Sequence, residues 1–287
     1  MEERTVDAGA VRLSVRDWPG TGLPVVALHG LASNSRWWDL VADRLSPRHR
    51  VLALDLRGHG LSDRPESGYS IEEVAADVAA AIATLGIGPH VVAGHSWGAS
   101  IALRHGAEPG VVGVVCVDGG ISDLRAVFGG SWSEAEPMMT PPEFSGVTAD
   151  ALKIWAAAGA LADGSDGPTA TAILLGNFED VGGELRPRLA LNRHMLIARS
   201  LFEARPAELL AAVRCPVLLL PATQPPEQLS LRQAWVEDAL TVLDGRGKVA
   251  WIDGGHDLPV QRPAEVAATM GDWISRLPSP DQPSTTS

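Results

Sequence analysis

Cysteine is scarce in this chain. Only Cys116 and Cys215 occur among 287 residues, and both lie in or beside apolar runs. Two such thiols build neither a disulfide framework nor a metal site, and they read as buried free thiols. Long apolar runs are missing too: nothing approaches the roughly 18 apolar residues of a membrane span. The opening Met1-Glu2-Glu3-Arg4 lacks the apolar region of a signal peptide, so a cytoplasmic location is expected. Positive charge is in deficit, with 23 Lys and Arg against 35 Asp and Glu and a formal net charge of −12. That balance speaks against nucleic acid or an anionic membrane surface as partner and leaves a small-molecule substrate. No internal repeat is present, and the composition carries no sign of an oligomeric state.

What the chain does have is alternation. Val11-Arg12-Leu13-Ser14-Val15-Arg16 switches between apolar and polar as a half-exposed strand does. Later runs are apolar throughout: Val25–Leu28, Val51–Leu54, Val91–Ala93, Val111–Val117, Val217–Leu220 and Val249–Ile252. Continuous runs suit parallel strands covered on both faces. Helical patterns lie between them, over Asn34–Leu45, Ser96–His105 and Ala264–Leu277. Ser70-Ile71-Glu72-Glu73 is a capping box that opens a further helix to about Leu85, stopped by Gly86. The alternation predicts an α/β fold with a doubly wound, mostly parallel sheet.

The pattern changes between Ile121 and Val213. Breaks at Gly129-Gly130-Ser131 and Pro141-Pro142, and from Gly164 to Pro168, separate helix-like pieces near Ala149–Ala162, Thr169–Phe178 and Arg188–Ala204. No apolar strand run interrupts them. The expected organisation is a core of residues 1–120 and 213–277, a helical lid over 121–212, and a disordered Pro/Ser/Thr-rich tail over 278–287.

The strongest local feature is Val91-Val92-Ala93-Gly94-His95-Ser96-Trp97-Gly98-Ala99-Ser100. An apolar run meets Gly-x-Ser-x-Gly, then small helix-compatible residues. A strand must turn sharply into a helix, with the Ser96 hydroxyl at the tip. The flanking glycines permit the close backbone approach of such a turn. The serine then stands at a helix N-terminus, where free N–H groups favour a developing negative charge.

Several segments, in order and over nearly the whole chain, make it resemble the α/β-hydrolase family. His29-Gly30 after a strand is similar to that family's oxyanion-loop motif. Asp55-Leu56-Arg57-Gly58-His59-Gly60-Leu61-Ser62 resembles its Asp-x-Arg-Gly-x-Gly-x-Ser turn, and Gly94–Gly98 its nucleophile elbow. Gly255-His256-Asp257 resembles the segment that supplies its catalytic histidine, and Gln261-Arg262-Pro263 follows as the next helix start. The resemblance implies an eight-stranded sheet with an inserted lid between its sixth and seventh strands. It implies Ser96 as nucleophile and His256 as base, in the order serine, acid, histidine. It implies an oxyanion hole from the backbone N–H groups of Leu31 and Trp97. It implies no cofactor and no metal.

The acid is where the chain departs from the pattern. The family places Gly-x-x-Asp after the strand Pro216–Leu220, whereas this chain reads Pro221-Ala222-Thr223-Gln224-Pro225-Pro226-Glu227. Pro225 takes the acid's place. Asp118, ending the strand before, and Glu227, two residues past the usual position, are the replacements, and a site without an acid is the third option. Asp253 and Asp257 flank His256 too closely to orient its ring. Asp55, with Arg57, reads as a structural partner. The remaining histidines, His95 among them, carry no assigned role.

The favoured activity is a serine hydrolase acting on an ester, thioester or lactone of a mainly apolar small molecule. A carbon–carbon bond hydrolase, lyase or haloperoxidase-like enzyme would use the same site, and a ligand-binding protein with a degenerate site belongs to another class. Trp37, Trp38, Phe128, Trp132, Met138, Met139 and Phe144 are the candidate pocket residues. No cluster of Arg or Lys stands beside the site in sequence, which argues against a highly anionic substrate.

Overall fold

The computed structural model describes residues 1–144, 146–155 and 167–278. Among the described residues are ten strands: β1 (Glu2–Asp7), β2 (Arg12–Trp18), β3 (Gly22–Leu28), β4 (His49–Leu54), β5 (His90–His95), β6 (Val111–Val117), β7 (Phe178–Val181), β8 (Glu184–Pro187), β9 (Val217–Leu220) and β10 (Gly247–Val249). Eight of them form one sheet in the order β1-β2-β4-β3-β5-β6-β9-β10. β1, β2 and β4 pair antiparallel and every other neighbour pairs parallel.

The fully apolar strands follow from two covered faces. Val26, Leu28, Val92, Val114 and Leu219 belong to one buried cluster. Their sequence neighbours Val25, Ala27, Val91, Val115 and Leu218 belong to another. Successive side chains point to opposite faces of a strand, so a sheet wrapped on both sides needs apolar residues at every position. Helices Ile71–Thr84 and Trp97–His105 lie against the first cluster, and Asp39–Leu45 and Pro263–Ile274 against the second.

Several expectations are refined. β2 is not half exposed: Ser14 and Arg16 are buried. The Arg16 guanidinium donates to both oxygens of Asp39 and to Glu3, which replaces the water it gives up. Strand β1 and the helix Leu229–Leu243 had no strong period in the sequence. The last apolar run forms a strand over Gly247–Val249, and Ile252 adds an isolated bridge to Ala222.

Between β6 and β9 the chain leaves the sheet. Helices Leu124–Val127, Trp132–Met139, Ala149–Trp155, Gly167–Leu175, Leu191–Glu203 and Pro206–Ala212 are joined by a hairpin of β7 and β8. The hairpin adds a strand pair to an excursion expected to be mostly helical. Phe178 opens a strand instead of closing a helix, because Gly182-Gly183, both at positive φ, form the turn that two short strands need. The expected helix near Ala149–Ala162 is described only to Trp155, and the tail beyond Pro278 lies outside the described residues. Cys116 and Cys215 are buried and unpaired, and burial pushes the Cys116 thiol up. Among the described residues no helix is long and apolar enough to cross a membrane.

Candidate active site

Ser96 sits between β5 and the helix Trp97–His105 with φ 54° and ψ −120°. A side chain at positive φ is strained, and it persists only where the surroundings impose it. Here they do. The Ser96 N–H donates to the Val117 carbonyl at 3.0 Å, tying the turn to the neighbouring strand end. A Cβ on Gly94 would collide with the Gly98 carbonyl, and one on Gly98 would lie 2.5 Å from the Leu28 and His29 carbonyl oxygens. The turn therefore closes only with glycine on both sides.

Asp118 follows β6 directly, at φ 40°. Its N–H donates to the Leu220 carbonyl at 3.0 Å. The next residue must pass against the serine: a Cβ on Gly119 would lie 2.6 Å from the Ser96 Cα. This route turns the carboxylate toward the loop after β10. Asp118 Oδ2 accepts from His256 Nδ1 at 2.7 Å, and Oδ1 accepts from the Ala222 N–H at 2.9 Å. His256 Nε2 then accepts from the Ser96 hydroxyl at 3.0 Å. The chain Ser96–His256–Asp118 is thus continuous. Glu227 is exposed in a short 3-10 turn over Pro226–Gln228, and no hydrogen bond joins it to His256 among the described residues.

The electrostatics fit proton transfer. Burial alone would lower the His256 pKa, but the Asp118 hydrogen bond and charge outweigh it and leave it raised. Burial opposes ionisation of Asp118 as well, yet His256, the Ala222 N–H and Arg232 hold it below its ordinary value. The His256 side chain is 51% exposed while that of Asp118 is 7% exposed, so the base meets the cleft and the acid stays behind it.

Two supporting residues had no signal in the sequence. His95 Nε2–H donates to the His256 carbonyl at 2.8 Å, and burial pushes the His95 ring down to about 3, so it stays neutral. Arg232, on the helix Leu229–Leu243, donates to the carbonyls of Ala222, at 3.1 Å, and Gln224. Its Nη2 lies 3.7 Å from Asp118 Oδ2. Arg232 thus holds the loop around Pro225, where the resembled family carries its acid. Among the described residues Asp55 pairs with no arginine; it accepts from the N–H groups of Ser35 and Leu61, while Arg57 binds both oxygens of Asp77 at 2.5 Å.

The loop after β3 runs beside the serine: a Cβ on Gly30 would sit 3.1 Å from the Ser96 Cβ. His29 steadies it, donating from Nδ1 to the Gly30 carbonyl at 2.8 Å and accepting from the Leu56 N–H at 3.0 Å. No acceptor among the described residues takes the backbone N–H of Leu31 or Trp97.

A cavity of about 620 Å³ opens next to this loop. Ala32, Ser33, Trp37 and His59 line it from the sheet side, and Phe144, Phe178 and Arg188 from the excursion between β6 and β9. Neither Ser96 nor His256 lines it, but two of its wall residues pack on the serine's chain neighbours, Trp37 stacking on His95 at 6.5 Å and His59 packing on Trp97 at 5.4 Å. Of the candidate pocket residues only Trp37 and Phe144 line it. Trp38 is core, Trp132 packs on Phe202, and Met138 is 75% exposed. Phe128 and Met139 are half-buried elsewhere. Helical periodicity could not tell which face of the excursion meets the sheet. Among the described residues no cluster of three or more His, Cys, Asp or Glu could hold a metal ion.

A model of the alpha/beta hydrolase family matches residues 25–269. The 2-(acetamidomethylene)succinate hydrolase of Mesorhizobium japonicum is 42% identical over 117 residues, which is 40% of this chain and 42% of that protein. The match thus spans less than half the length of this curated relative. A solved structure of E-2-(acetamidomethylene)succinate hydrolase superposes with a TM-score of 0.76 at 24% identity, over 96% of this chain and 99% of that one. An esterase from Rhodococcus sp. ECU1013 superposes with a TM-score of 0.71 at 26% identity, over 97% and 100%.

Proposed function

The chain belongs to the alpha/beta hydrolase family, and from that premise we propose that it is a serine hydrolase that cleaves an ester, thioester or lactone of a small, mainly apolar molecule through an acyl-enzyme. The observation that carries this reading is the hydrogen-bonded chain from Ser96 through His256 to Asp118, with bonds of 3.0 and 2.7 Å. Ser96 Oγ attacks the substrate carbonyl carbon while its proton passes to His256 Nε2. Asp118 fixes the ring with Nδ1 protonated and stabilises the imidazolium. The carbonyl oxygen, now an oxyanion, accepts from the N–H groups of Leu31 and Trp97 at the start of the helix Trp97–His105. His256 returns the proton to the leaving alcohol or thiol. Water then gives a proton to His256 and attacks the acyl carbon, and Ser96 is released with its proton. Side chains and water suffice, so the reaction calls for no cofactor.

Residues 121–212 act as the lid in this reading. Support comes from the cavity, whose outer wall they supply through Phe144, Leu174 and Phe178. Apolar walls around a few polar groups suit a substrate that is apolar near its carbonyl. The unpaired buried cysteines fit a reducing compartment such as the cytoplasm.

A fluorophosphonate probe tests the central claim. Wild-type protein is expected to label at Ser96 within minutes and to hydrolyse p-nitrophenyl esters, while the Ser96→Ala and His256→Ala variants lose at least about a thousandfold in kcat. A Ser96→Ala variant that keeps a tenth of the activity would exclude covalent serine catalysis.

A further inference from the structure

Arg188 is poorly matched for a partly buried arginine. Arg16, Arg50, Arg57, Arg64, Arg193 and Arg232 each donate at least one hydrogen bond of 3.1 Å or shorter. The Arg188 side chain is only 22% exposed, yet among the described residues its guanidinium makes no hydrogen bond, and its buried Nε has no partner. The nearest carboxylate, Glu179, lies 4.0 Å from Nη1 and is already bound by Arg64 at 3.0 Å. Two guanidinium groups thus share one carboxylate, so Arg188 has no close carboxylate of its own. Burying Nε without an acceptor costs free energy, while Nη1 and Nη2 keep access to solvent and stay open to an acceptor on a ligand.

Arg188 lines the cavity beside the oxyanion loop, and Asn177 lies next to it. The Arg188 N–H donates to the Asn177 carbonyl at 2.8 Å. The Asn177 side chain is oriented by Asn34, whose Oδ1 accepts from Arg36 N–H and whose Nδ2 donates to the Ile173 carbonyl and to Asn177 Oδ1. Asn177 must therefore present its oxygen to Asn34, and its amide N–H groups are left over as donors. The cavity wall then carries a planar guanidinium and a side-chain amide in one neighbourhood, with apolar Phe144, Leu174, Phe178 and Leu189 around them. Glu143 and His194 also line the cavity. Burial holds His194 neutral, with its pKa below the ordinary value.

We propose that Arg188, with Asn177, binds a carboxylate of the substrate, so that the enzyme acts on an acyl compound whose reacting carbonyl is joined through a short apolar stretch to a carboxylate. The inference rests on the serine hydrolase reading and adds the substrate class. It answers the scarcity of Arg and Lys near the motifs: the cation comes from the segment before the helix Leu191–Glu203, 92 positions after Ser96 in the chain. A carboxylate matches the fork of one guanidinium and brings a single negative charge to the cation that has no close partner of its own. A phosphate dianion would add a second charge beside Glu143 and Glu179.

Mono-p-nitrophenyl glutarate and its methyl ester share the acyl chain and leaving group and differ in one charge. Wild-type protein is expected to favour the acid over the methyl ester in kcat/KM by roughly ten- to hundredfold, the worth of a hydrogen-bonded charge. Arg188→Met abolishes that preference. Asn177→Asp keeps the acceptor for Asn34 but places a negative charge at the site, and it lowers the ratio at least about tenfold, which covers the case of an Arg188→Met protein that does not fold. A wild-type ratio at or below one, or a ratio unchanged in the folded variants, overturns the proposal. If neither ester is cleaved and the fluorophosphonate does not label, the hydrolase reading has failed instead. Calorimetric titration with glutarate and with inorganic phosphate then decides the anion site separately. Saturable glutarate binding that Arg188→Met or Asn177→Asp removes upholds it. Absence of glutarate binding, or tighter binding of phosphate, overturns it.

Discussion

Asp118 takes up a backbone conformation that side chains rarely adopt, φ 40°, directly after a strand. The conformation aims both oxygens away from the sheet, one to the Ala222 N–H and one to His256. Asp118→Asn is expected to lower kcat by about a thousandfold or more, since the amide both loses the charge and favours the wrong histidine tautomer. Glu227→Gln changes kcat by less than about twofold, being exposed and outside the network. Steady-state kinetics of the two variants check the ranking. Arg232 has a subtler effect. Its positive charge lowers the His256 pKa, against the raising effect of Asp118. His256 acts as a base when neutral, so kcat/KM falls as pH drops through a raised pKa. Arg232→Met removes a cation from the neighbourhood and is expected to move that acid limb to higher pH, which a pH profile reads directly. An unmoved limb would show that Arg232 only holds the Pro225 loop.

Elements differ in how plainly their sequences announce them. The helix Ile71–Thr84 begins where Ser70 and Glu73 cap each other, Ser70 Oγ accepting from the Glu73 N–H at 3.2 Å and Glu73 Oε2 from the Ser70 N–H at 3.1 Å. The two partners lie three residues apart in the chain, so the signal is local and readable. Ser70→Ala is expected to cost about 1 kcal/mol and to lower Tm by a few degrees with kcat unchanged, as thermal denaturation and an ester assay would report. The helix Leu229–Leu243 has no capping residue with a side-chain bond and no strong apolar stripe, and it was not legible. Its position matters all the same, because it carries Arg232 to the back of Asp118. The β7–β8 hairpin leaves no readable period in the sequence for a similar reason: four-residue strands are too short to establish a period of two.

Across the whole molecule, four buried histidines resist protonation. Burial pushes His29 down to about 4 and His59, His95 and His105 down to about 3. Unfolded histidines titrate near about 6.5. Between those values the unfolded chain binds protons that the folded one refuses, so stability falls as pH drops below about 6.5. Each group adds roughly 1.4 kcal/mol per pH unit in that window. Asp39, raised to about 6 by burial, opposes them with a single proton. The thermal midpoint is therefore expected to be flat from about pH 7 to 8 and to drop steeply between about 6 and 4. His105→Gln, far from the serine in function, should make the drop shallower. A midpoint that holds down to pH near 4.5 would contradict the buried neutral state.

The strand runs, the serine turn and the capped helix could be read without coordinates because each rests on contacts within a few residues. A Gly-x-Ser-x-Gly turn needs small neighbours wherever it occurs, and a strand covered on both faces must be apolar at every position. The family motifs added the order of serine and histidine but left the carboxylate open among Asp118, Glu227 and none. Tertiary structure decided what meets His256. Asp118 lies 138 residues and Ser96 160 residues away from it in the chain, and the approach depends on how three loops pass one another beyond the C-terminal ends of the strands. The same holds for His95, Arg232 and Arg188. No local pattern distinguishes an arginine whose donors are satisfied from one whose donors are not, because that difference belongs to the packing of segments distant in sequence.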